Sequence, residues 1–179
     1  MQVHPEFPQL DAMLEAWREP IGADYEAYRN HLLRMLNFCF ALARPDETAA
    51  RKLVIAAVFH DIAIWTHGTI DYLRPSAELA REWLQQHGEP SWGDEIDAII
   101  DQHHRFRPWR EAGGDLVEAF RKADLVDVSL GLVRFGLPRA FVADVRRTFP
   151  NAGFHKRLVQ LTLRQLGREP LRPLPMMKW

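Results

Sequence analysis

The histidines and aspartates of this chain fall where a sequence ordinarily keeps apolar residues. His31 has Tyr28 three residues before it and Met35 four after, so on a helix its imidazole shares a stripe with core side chains. His60 repeats the pattern between Ala56 and Ile64, and Asp61 follows it directly inside the apolar run from Val54 to Ala63. His103 completes an i, i+3, i+4, i+7 set with Ile96, Ile99 and Ile100, and Asp124 stands among Val117, Phe120 and Val128. An imidazole or carboxylate in such surroundings is costly unless it is hydrogen-bonded, paired or bound to a metal. One histidine of this kind is ordinarily a core residue bonded to a backbone carbonyl. Three inward histidines and two inward aspartates on four helices can instead meet at one centre, which is how helix bundles build metal sites. Without paired cysteines a structural zinc site is disfavoured. The mixed imidazole and carboxylate set suits one octahedral Mn, Fe, Co, Ni or Mg ion with positions open to water.

Helices must carry those side chains, and helix punctuation recurs along the chain while period-two runs of β-branched residues do not. The expected fold is all-α, a bundle of about six to eight helices. Asp24 caps a helix through Tyr28, His31, Met35, Phe38 and Leu42 that stops before Pro45. A second helix is expected from Asp46 to about Trp65, then a loop from Thr66 to Arg74, then a helix with Pro75 in its first turn ending near Gly88. Ser91 with Asp94, and Asp115 with Glu118, read as capping boxes ahead of the helices that carry His103 and Asp124. Pro138 opens one later helix and Asn151 caps another; the tail from Pro170 to Trp179 reads as extended. The chain is expected to form a single domain over 1–179, with a metal-binding core over about 24–130 and C-terminal helices and a Pro-rich tail over about 137–179.

Composition bounds the partners. With 47% hydrophobic and 26% charged residues the chain reads as a folded globular protein, and 23 Lys+Arg against 24 Asp+Glu leave a net charge of -1. Such a balance supplies no field to draw in nucleic acid or an anionic membrane, and no nucleic-acid surface is evident. Oligomerisation of identical chains stays open. Cys39, the single cysteine, sits between Phe38 and Phe40 as a packing residue. The N-terminus lacks a secretory pattern and no stretch of about 18 apolar residues exists, so a cytoplasmic location and no membrane partner are expected.

The order and placement of His31, the doublet His60-Asp61 and Asp124 resemble the HD-domain superfamily of metal-dependent phosphohydrolases. The contexts His31-Leu32-Leu33-Arg34, Phe59-His60-Asp61-Ile62 and Ala123-Asp124 carry the likeness. It implies that these four residues bind a divalent metal on a helical core, and that the protein hydrolyses a phosphate ester of a nucleotide or other small phosphorylated metabolite through a metal-activated water. Dinuclear members carry a further histidine shortly before the helix that here begins near Pro75, where this chain has Tyr72 and Leu73. One metal is therefore preferred over two, with His103 touching substrate or metal-bound water. Members acting on guanosine alarmones carry Glu-Asp soon after the doublet, and Ile62-Ala63-Ile64-Trp65 stands here instead.

For the proton reaching the leaving oxygen, His67 and Asp71 lie in the loop just past the doublet and join His103 as candidate catalytic groups. Arg105, Arg107 and His104 are candidate substrate contacts, since a guanidinium fork matches a phosphoryl group. Arg34, one turn past His31, is read as the partner of a buried carboxylate. Two rival readings remain: a diiron oxygenase on the same scaffold, needing six protein ligands, and a non-catalytic protein that binds metal and turns nothing over.

Overall fold

The computed structural model describes residues 1–111 and 114–178. Among them lie ten α-helical segments, eight of at least eight residues, and no strand beyond an isolated bridge between Arg105 and Lys178. The order is α1 (Pro8–Glu15), α2 (Arg18–Ile21), α3 (Tyr25–Ala43), α4 (Glu47–Phe59), α5 (Ala63–Thr66), α6 (Leu73–Gln86), α7 (Gly93–Gln102), α8 (Asp115–Val128), α9 (Arg139–Thr148) and α10 (Phe154–Arg168). The all-α expectation holds.

The centre of the bundle is α3 lying along α8, with α4 packed on α3 and α7. On α3 Leu32, Leu33, Met35, Leu36 and Phe38 are fully buried, and Cys39 packs beside them, its thiol pushed up by burial. On α4 every residue from Leu53 to Phe59 is buried, so this helix is wrapped on all sides. One apolar cluster runs from Phe7 of the N-terminal segment to Phe154 of α10. Helices α1 and α2 were not expected; the buried Phe7, Leu10 and Leu14 that seat α1 have helical spacing, with Pro8 opening it.

Several boundaries differ from the expectation. Asp46 does cap α4, accepting a hydrogen bond from the Ala49 amide at 2.8 Å, but the helix stops at Phe59 and not near Trp65. Asp24 makes no cap bond to α3; its carboxylate instead accepts from Trp65 Nε1 and pairs with Arg157. Neither capping box forms. Asp94 is taken by Arg81, and Glu118 accepts from the Trp109 amide and holds Arg121. Asn151 accepts from the His155 amide, one residue inside α10, whose cap position is Gly153. The tail folds back through turns until Lys178 bonds to Phe106; Trp179 lies outside the described residues.

Candidate metal centre

Two helix ends make the centre. At the C-terminus of α4 the last carbonyls have no amide to receive, and two side chains satisfy them: His60 Nδ1 donates to the Ala57 carbonyl at 2.7 Å, and the Tyr28 hydroxyl donates to the Val58 carbonyl at 3.0 Å. The chain then turns through Asp61 and Ile62 before α5 begins, so neighbouring residues of the doublet both reach inward. The end of α7 repeats the device. His103, just past Gln102, donates from Nδ1 to the Ile100 carbonyl at 2.6 Å. A carbonyl only accepts, so each ring carries its proton on Nδ1 and presents the bare Nε2 lone pair.

His31, from the middle of α3, is fixed by a carboxylate. Its Nδ1 donates to Asp127 Oδ2 at 2.7 Å, and Arg34 grips the same carboxylate with Nε at 2.6 Å and Nη2 at 2.8 Å. The ring of Phe154 stacks on His31 with centroids 4.1 Å apart. Burial would raise the Asp127 carboxyl, but His31 and Arg34 outweigh it and hold it at about 2. Asp127, one turn past Asp124 on α8, thus orients the imidazole from behind, and Arg34 has the structural role expected of it.

The inward atoms fit a cation. His31 Nε2 and His60 Nε2 face each other at 3.3 Å, and with both Nδ1 atoms committed as donors they are opposed lone pairs. His60 Nε2 is 3.2 Å from Asp61 Oδ2. Asp61 Oδ1 and His103 Nε2, 3.5 Å apart, are buried and have no hydrogen-bond partner. Octahedral bonds of about 2.1 Å place adjacent donors about 3 Å apart, close to these separations. His31, His60 and Asp61 form one group of donors that could hold an ion; Asp61, His103 and His104 form another, sharing the carboxylate. Asp124 lies at the edge of both, 3.7 Å from His31 Nε2 and 3.6 Å from His104 Nδ1.

Electrostatics divide the two carboxylates. Burial works to raise both. At Asp61 the carboxyl nonetheless lies well below the usual range, through the positive charge that His60 and His103 bring when protonated, a charge that a cation between them would supply to the neutral rings. At Asp124 burial wins, aided by the charges of Asp61 and Asp127, and the pKa rises to about 7. Burial lowers His31, and with His103 beside it lowers His104 well below the usual imidazole range. These rings are neutral near pH 7, the form that binds metals.

A pocket of about 300 Å³ opens onto this centre, reaching Asp61, His103, His104 and Asp124. Tyr72 borders it with its hydroxyl 2.6 Å from His104 Nε2, and burial keeps the phenol protonated. Arg105 reaches the wall with its Nε buried and unpartnered. The other expected contacts are not assembled there. Arg107 is exposed and outside the wall. His67 is exposed, bonded to the neighbouring Thr66 hydroxyl, and Asp71 is exposed opposite Arg172 at 3.8 Å. The loop carrying this pair turns outward after α5, so closeness to the doublet in sequence does not become closeness in space.

A helical bundle with a buried centre of imidazoles and carboxylates is the architecture of a metal-binding domain. A family model described as HD domain matches residues 28–132, more than half of the chain, and the protein belongs to the HD-domain family, that of metal-dependent phosphohydrolases. No curated protein and no solved structure matches it. No helix among the described residues is long and apolar enough to cross a membrane.

Proposed function

We propose that the protein is a metal-dependent phosphohydrolase acting on a small phosphate ester, with His31, His60, Asp61 and Asp124 holding a divalent transition metal. The observation that carries this reading is the pair of opposed Nε2 lone pairs of His31 and His60 at 3.3 Å, an arrangement that a cation makes favourable. When bound, the ion supplies a Lewis acid and makes water a nucleophile near neutral pH. The water oxygen bonds to phosphorus, the bond from phosphorus to the leaving oxygen breaks, and the proton lost by water ends on that oxygen. Within the chain, Arg105 offers its free Nε to a phosphoryl oxygen, and the Tyr72–His104 pair stands where a leaving group could be met by a proton. These two replace His67 and Asp71 in the proposal. Stripping with chelator, reloading separately with Mn, Fe, Co, Ni or Mg, and screening phosphate esters tests it. The expected result is turnover restored by at least one transition metal; protein that takes up no metal, or loaded protein that cleaves no phosphate ester, overturns it.

A second reading, a two-ion centre of the diiron oxygenase type, draws support from the sharing of Asp61 by both donor groups. His104 supplies there the histidine that Tyr72 and Leu73 do not. His103→Ala separates the two readings. With one ion, metal content stays near one per chain while kcat/KM falls about tenfold or more. A fall from two ions to one, with iron and a visible absorption band in the native protein, favours the second.

A further inference from the structure

The pocket's outer wall has a chemistry opposite to that of its floor. Ile64, Ile70 and Leu125 line it from the bundle, Leu158 and Leu161 from α10, and Met176 from the tail. Beyond the metal centre its polar side chains are Tyr72, Arg105, Thr162 and Arg121. Tyr72 is bonded to His104, and Arg105 gives Nη1 to Gln102 at 3.1 Å while its Nε stays unpartnered. Arg121 is spent inside the protein: Nε and Nη2 hold Glu118 at 2.8 Å each, and Nη1 donates to the Arg105 carbonyl at 3.1 Å. That leaves the Thr162 hydroxyl as the polar group on the far wall, among described residues.

A nucleobase entering this space would bring several donors and acceptors with few groups to receive them, and a polyphosphate would bring charges with no second free guanidinium, both costly in a dry wall. A volume of about 300 Å³ is also at the lower end for ligand sites. The tail keeps the wall in place. The Phe106 amide donates to the Lys178 carbonyl at 2.9 Å, and the Lys178 ammonium pairs with Asp101. Methionine in that wall adapts its shape to whatever apolar body it meets.

We propose that the substrate is a small ester with one apolar alkyl or aryl group, which this wall takes up, and a single anionic head at the metal centre, in contrast to a nucleotide. The identity of the head as phosphate rests on the function proposed above; the apolar group does not. Calorimetric titration of the metal-loaded protein with n-alkylphosphonates and n-alkanoates, from ethyl to octyl, reads the wall without turnover. Affinity should rise about fourfold per added methylene until the pocket is full, and hexylphosphonate should bind at least tenfold tighter than AMP or GMP. Leu161→Asn and Met176→Asn, at half-buried positions, should each flatten the slope while metal content and helical circular dichroism hold. Thr162→Phe should end the rise at a shorter chain. Chain length without effect for both head groups, or AMP binding tighter than hexylphosphonate, overturns the proposal. If the slope appears and no phosphate ester is cleaved, the wall stands and the phosphohydrolase reading fails; if esters are cleaved with no regard to chain length, the reverse is true.

Discussion

The buried doublet His60-Asp61 and the exposed pair His67 and Asp71 hold the same residue types a few positions apart, yet only the first makes a site. His60 is fully buried, its Nδ1 spent on a carbonyl and its Nε2 aimed at another lone pair. His67 faces solvent, and water can meet whatever its neighbour Thr66 does not. Asp61 is buried with one oxygen unpartnered, whereas Asp71 stands in water opposite Arg172. The difference is the solvent: an imidazole or carboxylate that has lost water must be met by a hydrogen bond, a proton, an opposite charge or a metal within the fold, and an exposed one need not.

Substitutions can break that contrast, the largest effect first. Asp61→Ala removes the carboxylate shared by both donor groups, so bound metal and turnover should both fall to below about 1% of wild type while helical circular dichroism persists. Retained metal by elemental analysis would argue that the doublet is a structural feature only. Asp127→Asn leaves every inward atom in place but loosens the hold on His31 and Arg34. Metal affinity should weaken about 10- to 100-fold in competition with a chelating dye.

The third test uses acidity in the metal-free protein. Asp124 has its carboxyl raised to about 7 in the fold, against about 3.9 unfolded, so the folded state binds the proton more tightly. Its favourable share of stability is complete below pH 4 and is lost as pH climbs through 7. Asp124→Asn carries no charge to bury, and stripped protein with this change should melt higher than wild type at pH 8 and about equally at pH 4. Equal melting temperatures at both would show that the carboxylate is not penalised there. The smallest effect is expected from His67→Ala and Asp71→Asn, with stability within about 0.5 kcal/mol of wild type and metal affinity unchanged. A marked loss of metal in either would return the outer loop to the site.

What was legible in the sequence follows the same line. His31, His60, Asp61 and His103 could be read because each interrupts a helical stripe, and the structure brings all four together. His104 could not be placed so, because its access to the centre depends on α7 ending at Gln102, and no glycine or proline marks that end. The break after Phe59 is equally silent: the apolar run continues to Ile64, and the freed carbonyls are met by His60 and Tyr28, a tertiary arrangement that local sequence does not encode. Asp124 and Asp127 both lie on the buried side of α8, and which one faces His31 Nε2 and which faces Nδ1 is decided by side-chain placement finer than periodicity resolves. The apolar outer wall gathers residues from α5 to the tail, a set that no local motif could announce.

The bridge between Arg105 and Lys178 sets a clock as well as a wall. Contacts so distant in sequence carry a large loop-closure entropy, so the helices that bear the centre can assemble before the strap across the pocket settles. Held by few backbone bonds, that strap belongs to the low-stability end of the molecule, and its amides should exchange with solvent through openings far smaller than global unfolding. Met176 rides on that strap, so each such opening would also withdraw part of the pocket's apolar wall.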